Sequence, residues 1–128
     1  MTAKPGPERF PWRVWALALV SPLLLACASD PGAVPVGVTQ PDKYLIDQGL
    51  KTLEDENWLD SREYFRQIID GYPQSAFRAE AKLGLADTYL GEGTDQARVL
   101  AVSEYREFLA FFPTHPRADY AQHRIALS

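Results

Sequence analysis

Residues 64–86 and 104–126 are two copies of one pattern, and this internal repeat restricts the possible folds more than any other feature of the chain. The segments YFRQIIDGYPQSAFRAEAKLGLA and EYREFLAFFPTHPRADYAQHRIA align without a gap at an offset of 40 residues. Phe65 matches Tyr105, and Pro73 matches Pro113, so aromatic residues and prolines recur at equivalent positions. A repeat of this length predicts stacked copies of one supersecondary unit.

The repeated unit has the periodicity of amphipathic helices. Residues that suit a buried helix face recur at spacings of three and four, and these are Trp58, Ser61, Phe65, Ile68 and Tyr72. The pattern predicts five helices, at about 42–55, 58–71, 75–90, 95–111 and 115–127. Turn chemistry supports these boundaries, with Ser75, Thr94 and Thr114 as N-caps, Gly71 and Gly91 at helix ends and Pro116 in a first turn. No run alternates with period two for long enough to form a strand, so the predicted class is all-α.

The spacing of small and bulky residues resembles the tetratricopeptide repeat. Gly49, Asn57-Trp58, Ser61, Phe65 and Pro73 occupy the positions of its small, aromatic and closing-proline residues. Small residues let the two helices of a pair approach closely, and the proline stops the second helix. The 40-residue offset exceeds the usual repeat of about 34 residues, and the excess falls at residues 91–96 and after Pro73. We therefore expect a tetratricopeptide-like solenoid of about two and a half helix pairs over residues 42–128.

The N-terminal 26 residues have the pattern of a secretory signal peptide. Lys4, Arg9 and Arg13 precede the uncharged stretch Val14–Ala26, which is shorter than the roughly 20 residues that a membrane-spanning helix needs. The chain's one cysteine follows at once, and Leu24-Leu25-Ala26-Cys27 resembles the bacterial lipobox. This resemblance implies that Cys27 is thioether-linked to diacylglycerol before the signal peptide is cleaved off, with acyl chains such as palmitate then holding the protein on a membrane. The alternative is a buried free cysteine.

Residues 27–41 are predicted to be a tether between the lipid and the folded domain. ASDPGAVPVGVTQP, residues 28–41, contains three prolines and two glycines, which argue against packed structure, and it would extend to about 45 Å. The residue after the cysteine is Ala28, where enterobacterial lipoproteins retained in the inner membrane have Asp, and this favours the outer membrane. The chain after residue 26 has 10 Lys and Arg against 16 Asp and Glu, so it is acidic and offers nothing to nucleic acid.

The combination of lipobox, short tether and repeats ending in YPQS and FPTHPRADYA resembles the BamD family of outer membrane protein assembly lipoproteins. The most specific match is a motif formed by Pro113, Thr114, His115, Pro116, Asp119 and Tyr120. The resemblance implies a periplasmic, lipid-anchored subunit of the machinery that inserts β-barrel proteins, with the barrel subunit and unfolded outer membrane proteins as partners. Family members continue through further repeats, so we expect residues 42–128 to be an N-terminal portion.

In such a solenoid the first helix of each pair lines a concave groove suited to an extended or helical peptide. The predicted groove residues are Lys43, Ile46, Leu50, Leu53, Glu80, Leu83, Asp87, Leu90, Tyr120 and His123. Leu83, Ile46 and Leu53 could equally pack between helices. The aromatic stripe of Phe65, Tyr72, Tyr105, Phe108 and Phe112 is expected to be core.

No arrangement of residues predicts catalysis, a cofactor or a metal site. His115 and His123 have only Asp119 near them in sequence, which is a thin ligand set. Carboxylate pairs such as Glu104 and Glu107 fit a solvated helix face. The prediction is a non-enzymatic assembly factor that takes no small-molecule substrate. The alternative is a periplasmic adaptor lipoprotein with the same repeats, serving the cell-wall or Tol–Pal machinery.

Overall fold

A computed structural model describes residues 32–128, together with Thr2. Five helices follow one another in this part of the chain: α1 (Pro41–Glu54), α2 (Trp58–Gly71), α3 (Arg78–Glu92), α4 (Asp95–Phe111) and α5 (Ala118–Leu127). No residue of this part belongs to a strand, so the predicted all-α class is confirmed. The predicted signal peptide (residues 1–26), Cys27 and the first tether residues lie outside the described residues.

Local sequence signals account for most of the helix boundaries. Pro41 occupies the first turn of α1, where its missing N–H costs no helical hydrogen bond. The Thr94 hydroxyl accepts a hydrogen bond from the Ala97 N–H at 3.1 Å, which confirms its predicted role as the N-cap of α4. The helix end predicted at Gly91 lies instead at Gly93, whose positive φ of 73° closes α3 in the left-handed conformation that glycine favours.

Helices α3 and α5 begin three residues later than the sequence predicts, and the reason is the same in both repeats. The segment after each proline forms two successive tight turns before the helix begins. In the first, the Ser75 N–H donates to the Tyr72 carbonyl (2.9 Å) and the Arg78 N–H to the Ser75 carbonyl (3.2 Å), and in the second, His115 and Ala118 make the equivalent bonds (3.1 and 2.9 Å). Ser75 and Thr114 are therefore not helix N-caps, and Pro116 lies before α5 and not in its first turn.

The first repeat packs around the ring of Phe65. A Cβ atom added to Gly49 of α1 or Gly84 of α3 would lie 2.6 Å or 2.5 Å from this ring, so the absence of side chains there lets the three helices close on it. The Ser61 hydroxyl, also fully buried, donates to the Gly49 carbonyl at 2.8 Å and fixes α1 against α2. This arrangement of a ring between small residues matches the tetratricopeptide-like packing expected from the sequence.

The second repeat packs around Tyr105 and Phe108, with Ala101 and Ala121 allowing close approach of the helices; all four are fully buried. An ion-pair cluster joins α3 to α4 beside this core. Lys82, only 9% exposed, lies 3.1 Å from a carboxylate oxygen of Glu104 and 2.7 Å from one of Glu107. A buried ammonium group needs such partners because its desolvation is otherwise costly.

The last part of the predicted tether is packed against the domain. Gly32 is buried and Val34 packs against the core cluster, whereas Val36 is fully exposed. The expectation of an unpacked segment over residues 28–41 is therefore wrong for Gly32 and Val34, and α1 already begins at Pro41.

Each helix packs mainly on its neighbours along the chain, and α1 also contacts α3. This is the connectivity of a helical-repeat solenoid. Within residues 32–128, no helix is long and apolar enough to cross a membrane.

Candidate peptide-binding surface

The predicted groove residues lie on α1, α3 and α5, the alternate helices of the stack. Because α1 contacts α3, and Tyr120 of α5 hydrogen-bonds to Asp87 of α3, these three helices lie next to one another on one side of the molecule. Lys43 and His123 are exposed at its two ends, and Lys43 pairs with Asp47 at 2.9 Å. The half-buried members are Leu50, Leu53, Glu80, Asp87, Leu90 and Tyr120.

Two predicted groove residues are not available to a ligand. Ile46 is 2% exposed and Leu83 is fully buried, and both side chains are part of the main core cluster. These two side chains therefore pack between helices, which was the alternative that the sequence left open for them. The apolar part of the surface is left to Leu50, Leu53 and Leu90, which pack against the core with part of each side chain still accessible.

A polar cluster on this side of the molecule ties α3 to α4 and α5. One carboxylate oxygen of Asp87, Oδ1, accepts hydrogen bonds from the hydroxyls of Tyr105 and Tyr120, the latter at 2.8 Å. The two tyrosine rings meet edge to face, with centroids 6.5 Å apart. A single carboxylate thus joins three helices, and we call Asp87, Tyr105 and Tyr120 the Asp87 triad.

Two arginines, Arg117 and Arg124, flank the ring of Tyr120, the more accessible ring of the triad. The guanidinium carbon of Arg117 lies 4.6 Å from the centroid of the Tyr120 ring, and that of Arg124 lies 5.6 Å from it. Arg117 is exposed, whereas Arg124 is half-buried and its Nε atom is buried without a hydrogen-bond partner among the described residues. Cation–π contact with an accessible ring is worth about 0.5–1 kcal/mol and orients the guanidinium groups.

Burial dominates the electrostatics of the triad. Desolvation raises the pKa of Asp87 above its usual value, although the two tyrosine hydroxyls and the charges of Arg124 and Arg117 act in the opposite direction. Desolvation likewise raises the pKa of Tyr105 and of Tyr120, and the Asp87 charge beside both phenols raises them further. Both hydroxyls therefore keep their protons at neutral pH and act as donors.

Tyr105, Arg117 and Arg124 are the members of this side that the sequence did not assign to it. Arg117 and Arg124 lie three residues before and four after Tyr120, which places them beside it on one helix face. Tyr105 is fully buried, in agreement with the predicted core position, but its hydroxyl hydrogen-bonds to Asp87, which is half-buried on this side of the molecule. The alignment of the two repeats offered one clue to this role, because Tyr105 has a hydroxyl group that its equivalent in the first repeat, Phe65, lacks.

The residues of the FPTHPRADY motif shape the turn before α5. Pro113, Thr114, Pro116 and Asp119 are exposed, and the half-buried His115 ring lies edge to face on Phe108 with centroids 5.4 Å apart. The His115 Nδ1 atom accepts a hydrogen bond from the Arg117 N–H at 3.2 Å. This turn fixes the start of α5, and with it the position of Tyr120.

The arrangement offers apolar contact, hydrogen bonding and cation–π contact, which are the means by which repeat proteins hold other polypeptides. In the described part of the chain, no three His, Cys, Asp or Glu side chains come close enough together to hold a metal ion.

Most of the chain is similar to a known protein family. The family model YfiO, described as an outer membrane lipoprotein, matches residues 39–128. No curated protein and no solved structure matches the chain.

Proposed function

This chain belongs to the YfiO family of outer membrane lipoproteins, and from that membership we propose that it is an outer membrane protein assembly factor. In this role it is a scaffold subunit of the β-barrel assembly machinery. It binds segments of unfolded outer membrane proteins along α1, α3 and α5 and also binds the barrel-bearing subunit. It makes and breaks no covalent bonds, and it needs no cofactor and no small-molecule substrate.

The observation that carries this proposal is the composition of the surface shared by α1, α3 and α5. Leu50, Leu53 and Leu90 offer apolar side chains that are partly accessible, while Tyr120, with its two arginines, offers an aromatic face and cationic groups. Barrel strands alternate apolar with polar residues and carry aromatic residues near their ends, and all of these are exposed while the protein is unfolded. Burial of the apolar side chains would supply the affinity, and the polar contacts would orient the bound segment.

Anchoring at the periplasmic face of the outer membrane is part of the proposal. Cleavage before Cys27 and its lipidation would leave the folded domain attached by acyl chains, each buried methylene contributing about 0.8 kcal/mol. Mass spectrometry of the mature protein tests this step, because an unprocessed N-terminus with a free thiol would contradict it.

Peptide binding is tested with one substitution on the proposed surface and one control substitution on another helix. The probe is a fluorescent peptide with the aromatic-rich C-terminal sequence of an outer membrane barrel protein. Leu50→Glu places a charge on the proposed surface and should abolish binding. The matched control is Leu59→Glu on α2, a helix that contributes no residue to the proposed surface, where the side chain is 73% exposed, and it should bind as the wild type does.

Fluorescence anisotropy measures binding, and circular dichroism shows whether each variant is folded. Because Leu50 and Leu90 both pack partly against the core, Leu90→Gln, which introduces no charge, provides a milder second variant. Equal binding by the wild type and both folded variants would contradict the proposed surface.

Capture of partners tests the cellular role. The full-length protein, purified from envelopes in mild detergent, should bring with it the barrel-bearing subunit. Recovery of Tol–Pal components without any barrel-assembly subunit would replace the proposal with the adaptor function.

A further inference from the structure

The segment Gly32–Val38, which we call the strap, lies against the domain before α1 begins. Gly32 is buried, and a Cβ atom added to it would lie 1.7 Å from Nε2 of Gln67 and 3.1 Å from Cγ of Glu63. Gln67 and Glu63 lie one turn apart on α2 and are hydrogen-bonded to each other at 3.0 Å. The strap backbone therefore contacts the side of α2 that carries these two residues.

Two further features hold the strap in this position. Val34 packs against the core cluster, which gives the strap an apolar attachment. The Val38 N–H donates to the Pro35 carbonyl at 3.4 Å, and Gly37 has a φ of 95°, so residues 35–38 form a tight turn that reverses the chain into α1. Val36 lies at the tip of this turn and is fully exposed, so it contributes nothing to the attachment.

We infer that the strap orients the domain on the membrane, with the outer surface of α2 facing the lipid headgroups. Only residues 28–31 separate Cys27 from the docked Gly32, and covalent geometry limits that connection to about 17 Å. A free connection over residues 28–41 would allow about 45 Å. The inference rests on the lipidation proposed above but not on peptide binding.

The strap, and not affinity for lipid, is what keeps this surface at the membrane. The side of α2 next to Gln67 carries Glu63, Arg66 and Asp70, a mixed set with a net negative charge and no attraction to anionic headgroups. The orientation should therefore require both the acyl chains and the docked strap.

The repeat supplies a matched pair of labelling sites for testing this orientation. Asp70 on α2 and Ala110 on α4 are equivalent at the 40-residue offset, and both are exposed. In the lipidated protein, Asp70→Cys or Ala110→Cys provides a unique thiol for a fluorescent donor. The protein is reconstituted into vesicles of phosphatidylethanolamine and phosphatidylglycerol that carry an acceptor on the headgroups.

We expect the donor on the Asp70→Cys variant to lose most of its emission to the acceptor, and the donor on the Ala110→Cys variant to lose much less. Val34→Ser in the Asp70→Cys background should reduce this energy transfer, because it removes the apolar attachment of the strap. Val36→Ser is the control and should leave the transfer unchanged.

Two results would overturn the inference and point to different errors. A wild-type chain that does not float with vesicles would overturn the anchoring at Cys27. A chain that floats but gives equal transfer at the two sites, or equal transfer in the two valine variants, would overturn the orienting role of the strap alone.

Discussion

Replacing Tyr105 by Phe removes one hydroxyl from the Asp87 triad and should change little else. A phenylalanine ring should fit at this position, because the equivalent residue of the first repeat is the fully buried Phe65. The lost interaction is the hydrogen bond from Tyr105 to Asp87, which leaves Asp87 with the Tyr120 hydroxyl at 2.8 Å as its remaining tyrosine donor.

The expected loss of stability is about 2 kcal/mol. A hydrogen bond to a charged group contributes about 1.5–3 kcal/mol, and the full burial of Tyr105 with the partial burial of Asp87 limits replacement of the donor by water. Tyr120→Phe should cost less, about 1 kcal/mol, because Tyr120 is only half-buried and water can take the place of its hydroxyl.

Urea unfolding of the wild type and variants, followed by circular dichroism at neutral pH, measures these free energies. Asp87→Asn completes a double-mutant cycle, since it makes the acceptor neutral and should reduce the cost of Tyr105→Phe to about 0.5–1.5 kcal/mol. A cost for Tyr105→Phe below about 0.5 kcal/mol, or the same cost in the two backgrounds, would refute the assignment of this bond as a charged link between α3 and α4.

Three further predictions follow from burial and close packing. Gly84→Ala should destabilise by about 1–3 kcal/mol because its Cβ meets the Phe65 ring, whereas Gly71→Ala, with open space around it, should be neutral or slightly stabilising in the same urea assay. Leu83→Glu should abolish helical circular dichroism because it buries an unpaired carboxylate, and a folded Leu83→Glu variant would contradict the core assignment. The raised pKa of Asp87 stabilises the fold fully below its usual value of 3.8, and this contribution is lost as pH rises through the higher folded pKa; Asp87→Asn should remove that slope from urea midpoints measured between about pH 3 and pH 7.

The all-helical class and the order of the helices could be predicted from the sequence because the repeat shows the same apolar spacing twice. Helix α4 begins at its predicted residue because Thr94 has the side chain of an N-cap and uses it as one. The starts of α3 and α5 could not be predicted in the same way. Ser75 looks like an N-cap, but its hydroxyl accepts from the Phe77 N–H and donates to Asp42, so it stabilises a turn and not a helix.

The surface on α1, α3 and α5 was harder to predict than the fold. Helical spacing places Ile46 and Leu50 on nearly the same side of α1, and only packing against the neighbouring helices decides that Ile46 is buried and Leu50 half-exposed. The packing of Gly32 against Gln67 is a contact between residues 35 positions apart, and no local sequence pattern in the strap predicts it. Both outcomes depend on tertiary geometry.

The nearest-neighbour packing of the helices bears on the order in which they can associate during folding. Helices α1, α2 and α3 can associate before α5 is in place, since α1 and α2 make their main contacts with each other and with α3. Short separations between contacting residues also favour rapid folding. In the proposed role, the domain would thus reach its folded form well before the slow-folding barrel proteins that it binds reach theirs.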